Sequence, residues 1–321
     1  MNKTIHRAES RGYADHGWLQ THHTFSFANY YDPRRVHFGA LRVLNDDTVA
    51  PGEGFGTHPH DNMEIVSIAL EGALRHGDSM GNMKVLRPGE IQVMSAGTGI
   101  THSEMNASET EPVKFLQIWV LTDAQNHTPR YNQVELAPAK RNVPHVIVAP
   151  EGRGGEHVGW VHQDAWFYTL DLDKDRVVEY RMNTRGHGAY VFVIEGSVEA
   201  AGEELGPRDG MGITEADEFP IKGNTDAKVL IIEVPDGGLT RRSKGVFRQI
   251  PSSFGCGERF RRGVLRKRAV PWDSLFLRRS AKAPERWVLP GGVLRPAPLR
   301  QNSEVKWNRI SLKFSCARAS P

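Results

Sequence analysis

Val66–Gly97, VSIALEGALRHGDSMGNMKVLRPGEIQVMSAG, and Tyr190–Thr214, YVFVIEGSVEAAGEELGPRDGMGIT, read as two copies of one pattern. In each, an apolar strand closes on Glu-Gly, a second extended stretch follows, and a turn built on Pro and Gly leads into another short apolar strand. The turns are Arg87-Pro88-Gly89-Glu90 and Gly206-Pro207-Arg208-Asp209-Gly210. Glycine there supplies positive φ and proline pre-sets its own φ, so both stretches are strands joined by tight turns. Repetition at this separation predicts two β-barrel domains joined near residues 130–145.

The residues between and beyond extend the same reading. Met63–Leu70, Ile91–Ser95, Lys114–Leu121, His145–Val148, Val158–His162, Tyr168–Leu172, Tyr190–Ile194 and Lys228–Val234 are short, rich in β-branched or aromatic residues, and bounded by Gly, Pro, Asn and Asp. That is the pattern of an all-β protein, and any helix should be short. No apolar window is long enough to span a bilayer and the first residues are not of signal-peptide type, which argues against a membrane location. Two cysteines, Cys256 and Cys316, are too few for a disulfide framework, so a cytoplasmic location is expected.

The net charge of +3 conceals an uneven distribution. Residues 236–321 carry 20 Lys and Arg against 5 Asp and Glu, whereas residues 1–235 carry 21 against 33. The expected division is therefore a first domain over 1–135, a second over 136–235 and an irregular, disordered or non-native basic tail over 236–321. Nucleic acid is not an expected partner except through that tail.

The chemistry is concentrated in Gly52–Glu64, GEGFGTHPHDNME, and Gly97–Glu104, GTGITHSE. Residues i and i+2 of a strand share a face, so His58 projects with His60, and His102 with Glu104. Either pair alone is a weak signal. Together, in a β-rich domain, they predict three imidazoles and one carboxylate converging on a metal ion. Nitrogen and oxygen donors without thiolate suit Fe(II), Mn(II), Ni(II), Cu(II) or Zn(II), and leave two positions open on a six-coordinate ion. Zinc could instead close a tetrahedron as a structural site. Glu64 has the parity to be a fifth ligand, but reads more simply as an acceptor behind a ligating His or as an exposed residue, and is left out of the ligand set. Gln117 shares parity with Phe115 and Trp119, points into the barrel, and is the candidate substrate-binding residue; the alternative is a core Gln tied to backbone. His22, His23 and His76 read as structural or loop residues.

GFGTHPHDNMEIVSIALEG resembles the first motif of the cupins, with the Glu at a different offset. With SAGTGITHSEMN and the N-terminal HHTFSFANYYDP, residues 1–235 resemble the pirins, specifically the bacterial pirin-like quercetin 2,3-dioxygenases. The resemblance implies two cupin-type barrels, each a double-stranded β-helix, with one divalent metal in the first bound by His58, His60, His102 and Glu104. The second barrel has no HxH, and its His187 stands alone, as in the metal-free second domain of pirins. Fe(II) is the first choice of metal, with Mn, Ni, Cu, Co or Zn as alternatives. The implied reaction opens the heterocycle of a flavonol with O2 and releases carbon monoxide, with Glu104 as the catalytic base. The rival readings are an iron-dependent transcriptional coregulator or redox sensor, and a zinc-hydroxide hydrolase.

Overall fold

The computed structural model describes residues 1–236. The expected basic tail lies outside the described residues. Within them the chain is all-β apart from a single 3-10 turn at Ala8–Ser10, and each of the eight stretches expected to be extended contains a strand. No helix among the described residues is long and apolar enough to cross a membrane.

Two seven-stranded and two four-stranded sheets make two barrels. The first large sheet runs in the order Arg130–Glu135, Glu90–Ser95, Met63–Glu71, Val113–Leu121, Leu41–Val49, Leu19–His23, Gly12–Asp15. Its smaller partner is ordered Gly54–His60, Ile100–Asn106, Leu74–Asp78, Met83–Leu86. The sequence repeat has a structural counterpart. In each copy the outer two strands pair in the large sheet, Met63–Glu71 with Glu90–Ser95 and His187–Glu195 with Gly210–Thr214. The inner two form a hairpin in the small sheet. The chain switches sheets at Gly72 and Gly196, with φ of 74° and 75°, and a Cβ at either would strike a backbone carbonyl, of Pro112 or Asp226. That double requirement explains why each copy carries glycine after Glu.

The uninterrupted apolar runs arise because both faces of each large sheet are buried. Along Ala227–Pro235, Val229 and Ile231 fill the second barrel, while Leu230, Ile232 and Val234 join a core shared between the two large sheets. Leu116, Ile118 and Val120 approach that core from the first barrel, and Tyr190, Phe192 and Phe167 from the second. The first strand, Asn2–His6, pairs with Gly210–Thr214, so the beginning of the chain completes the second large sheet. There the His6 Nδ1 lies 2.8 Å from the buried Tyr190 hydroxyl.

The two interiors differ in chemistry. The second is filled by residues such as Leu170, Val191, Met211, Ile213 and Ile221. Buried Glu233 accepts hydrogen bonds from the Tyr180 hydroxyl, from the Asn183 and Thr184 backbone and from His187, so that histidine is tied to a carboxylate within the fold. The first interior carries a polar row across its large sheet. His23 faces Asn45, Asn45 faces Gln117, Gln117 faces Ser67, and Ser67 faces Gln92.

Candidate metal centre

The strands Gly54–His60 and Ile100–Asn106 are antiparallel neighbours, with His102 opposite His58 and Ile100 opposite His60. This register brings the three imidazoles together, with ring centroids 4.4 Å apart for His58 and His102, and 4.9 Å for each of the other two pairs. One donor atom from each lies within 4.8 Å of the others. His58 Nδ1–H donates to the Gly56 carbonyl at 2.7 Å, which leaves its Nε2 as the lone pair in a neutral ring. Burial and then His58 push His60 down to about 3, and burial followed by its three histidine neighbours pushes His102 down as well. Both rings are therefore neutral at pH 7, the state a metal requires. His102 is 1% exposed, yet neither ring nitrogen has a hydrogen-bond partner. Orphaned buried nitrogens amid other imidazoles are the features of a ligand set, so the residues fit a metal ion.

Glu104 reaches the same region with a different orientation. Between His102 and Glu104 the pairing with Gly54–His60 slips by one residue, so Glu104 sits opposite Phe55. Such a bulge re-aims side chains. Its carboxylate, 2% exposed, accepts from Gln117 Nε2 at 2.6 Å, Ser67 Oγ at 3.1 Å and Gln92 Nε2 at 3.4 Å. Burial pushes the Glu104 carboxyl up, against the pull of His58 and His76 and of its hydrogen bonds. Its donor oxygen groups with His102 and His76, so the four expected residues fall, together with His76, into two overlapping trios that share His102. Gln117 does point into the barrel. Its amide is anchored between Glu104 and Ser67, whose Oγ lies 3.1 Å from its Oε1, and these side-chain partners replace the backbone partner considered from sequence.

Two other residues differ from their sequence reading. Glu64 is buried but turned away from the ligands, accepting from Ser95 Oγ at 2.7 Å and His162 N at 3.3 Å. The parity argument failed because the chain turns at Asn62, whose φ is 46°, before the next strand starts. His76 is a fully buried strand residue opposite Glu104, so of its reading as a structural or loop residue the loop half falls. The signal that could have found it is His76-Gly77-Asp78, a second i, i+2 pair of donor types.

The wall beside His60 is aromatic. Trp119 meets His60 edge-on at 4.9 Å, Phe27 meets Trp119 at 5.3 Å, and His23 lies 5.3 Å from Phe27. Two of these side chains belong to the HHTFSFANYYDP segment. Deeper in the barrel, Asp47 is 3% exposed and its Oδ1 has no partner. Burial, with Asp46 and Glu104 nearby, raises its pKa from 3.8 to about 7, against a hydrogen bond with Thr21. A raised carboxyl stabilises the fold fully below about 3.8 and loses that contribution as pH rises through about 7. Asp47→Asn is expected to raise the thermal midpoint more at pH 8 than at pH 5. An equal shift at both values would contradict this.

Residues 4–120 match the family described as Pirin, and residues 146–234 the family described as Quercetinase C-terminal cupin domain. The quercetin 2,3-dioxygenase of Escherichia coli is 41% identical over 231 residues, covering 72% of this chain and 98% of that protein. A putative quercetin 2,3-dioxygenase of Pseudomonas aeruginosa is 39% identical over 223 residues, covering 70% and 95%. The crystal structure of the bacterial pirin YhhW from Escherichia coli in complex with nickel(II) superimposes with a TM-score of 0.69 at 40% identity, covering 74% of this chain and all of that one.

Proposed function

The chain belongs to the pirin family, and on that footing we propose that it is a metal-dependent dioxygenase opening the heterocycle of flavonols such as quercetin with O2 and releasing carbon monoxide. In this reading His58, His60, His102 and Glu104 hold the metal in a barrel within 1–135, while 136–235 form a metal-free partner barrel. The observation that carries it is the cluster of three imidazoles beside a buried carboxylate, with the partnerless nitrogens of His102 in its midst. Fe(II) is our first choice of ion, and a relative that holds nickel keeps the identity open. A bound first-row ion supplies Lewis acidity for a 3-hydroxyl beside a 4-carbonyl and an open position for O2.

The residues of the chain supply the rest. Glu104 takes the 3-hydroxyl proton, and burial, which raises its pKa, helps it to hold that proton. Gln117, Ser67 and Gln92 hold its carboxylate in place and prevent it from rotating away. Trp119 and Phe27 offer flat apolar surface to a planar polyphenol beside His60. Gln117 acts through Glu104, which moves it from substrate contact to positioning. The basic tail, which mildly favoured the coregulator reading, lies outside the described residues.

Loss of the flavonol absorbance by metal-loaded protein, with and without oxygen, tests the proposal. Turnover in air alone is expected. Equal turnover without O2 would favour a hydrolase, and none in air would leave the protein without this activity.

A further inference from the structure

In the strand Arg130–Glu135, Tyr131 and Gln133 are two residues apart and share a face, and Gln133 lies directly opposite Gln92 of Glu90–Ser95. The Tyr131 hydroxyl joins the two amides, 2.7 Å from Gln133 Oε1 and 3.2 Å from Gln92 Oε1. Gln133 Nε2 donates to the Val85 carbonyl at 3.0 Å and to Glu90 Oε2 at 3.2 Å, which commits its oxygen to accepting. Burial, with Asp78, Glu104 and Glu90 nearby, pushes the Tyr131 phenol up, so the hydroxyl keeps its hydrogen and shares it between the two amide oxygens.

Gln92 is 0% exposed, and the other end of its amide meets the metal centre. Its Nε2 donates to Ser67 Oγ at 3.3 Å and to Glu104 Oε1 at 3.4 Å. Turned over, the amide would set its oxygen against the Glu104 carboxylate, acceptor against acceptor. The Tyr131 ring is placed by stacking on His76 at 4.4 Å and 25°, and His76 is held by Asp78 Oδ2 at 3.0 Å. The same strand is pinned to the second barrel, where the Arg130 guanidinium lies 3.3 Å over the Trp160 ring and donates to the Trp160 carbonyl. A hydrogen-bonded path therefore runs from Val85 and Glu90 through Gln133, Tyr131 and Gln92 to Glu104.

We propose that Tyr131 is a positioning residue of the metal centre: its hydroxyl keeps Gln92 with Nε2 toward Glu104, and so holds the carboxylate in the place from which it serves the ion. This rests on the reading of Glu104 as ligand and base. Tyr131→Phe keeps the ring and its stack on His76 but removes the hydrogen, which leaves the Gln92 oxygen buried without that donor. A buried amide in that state shifts to find another partner, and its hold on Glu104 loosens.

The test uses the full-length chain, stripped with chelator and titrated with Co(II), with binding followed by calorimetry and by visible absorption. The forms compared are the parent, Tyr131→Phe, Gln92→Met and the two substitutions together. Tyr131→Phe is expected to weaken Co(II) binding about tenfold and, in metal-loaded protein, to lower kcat for the flavonol by about the same factor with KM within about twofold. Added to Gln92→Met, which has already removed the amide, Tyr131→Phe is expected to change neither quantity by more than about twofold. Circular dichroism checks the fold of each form, and Gln92→Leu serves if Gln92→Met does not fold. A hydroxyl with a merely structural role would act equally in both backgrounds, and that result would overturn the proposal. Parent-like Co(II) affinity and kcat in folded Tyr131→Phe protein would overturn it equally. The Co(II) titration needs no flavonol, so the expected affinity pattern in a chain without flavonol turnover would sink the dioxygenase reading and leave the positioning role standing.

Discussion

Glu104→Gln is expected to lower flavonol turnover by about 100-fold or more while the protein stays folded and retains much of its metal. The substitution keeps the shape of the side chain and removes the proton acceptor. The oxygen of the new amide can still accept from Gln117 Nε2, which lies 2.6 Å from the native carboxylate, so the polar row around it has no reason to collapse. The three imidazoles keep their own register across Gly54–His60 and Ile100–Asn106. Metal content is measured beside turnover, because a loss of both would reveal a missing ligand and not a missing base. Wild-type turnover in metal-replete Glu104→Gln protein would remove the base role.

The largest effect on stability is expected at the core between the two large sheets. Phe192 is fully buried there, among residues that include Phe167, Leu230 and Ile232 of the second barrel and Leu116 and Ile118 of the first. Phe192→Ala removes an aromatic ring and leaves a cavity that strands paired on both sides cannot close, at a cost of about 3–5 kcal/mol. Because both barrels contribute to this core, unfolding followed by circular dichroism and by release of bound metal should shift together to lower denaturant. A shift in one signal alone would mean that the barrels unfold independently.

How far this architecture could be read from the chain depended on where each residue faces. Runs such as Lys228–Val234 stood out because burial on both faces leaves little room for polar residues. Leu74–Asp78 and Met83–Leu86 were legible only as one extended stretch, since they belong to a small sheet and mix His, Gly and Lys with few apolar residues. The i, i+2 rule placed His58 and His60 on one face because both lie in a single strand, Gly54–His60. It also made Glu64 a possible fifth ligand, a possibility that ends at the turn at Asn62, where parity does not survive. The inward direction of Gln117 was legible in its own strand, but its partner Glu104 arrives from the facing sheet, across a register shift that no spacing within Val113–Leu121 encodes. His76 owes its position beside Glu104 to that same long-range pairing.

The gas balance of the reaction tests the central claim most directly. Metal-loaded protein supplied with quercetin in air should consume one O2 and release one carbon monoxide for each flavonol lost. Loss of the flavonol without carbon monoxide, or without oxygen uptake, would contradict the account.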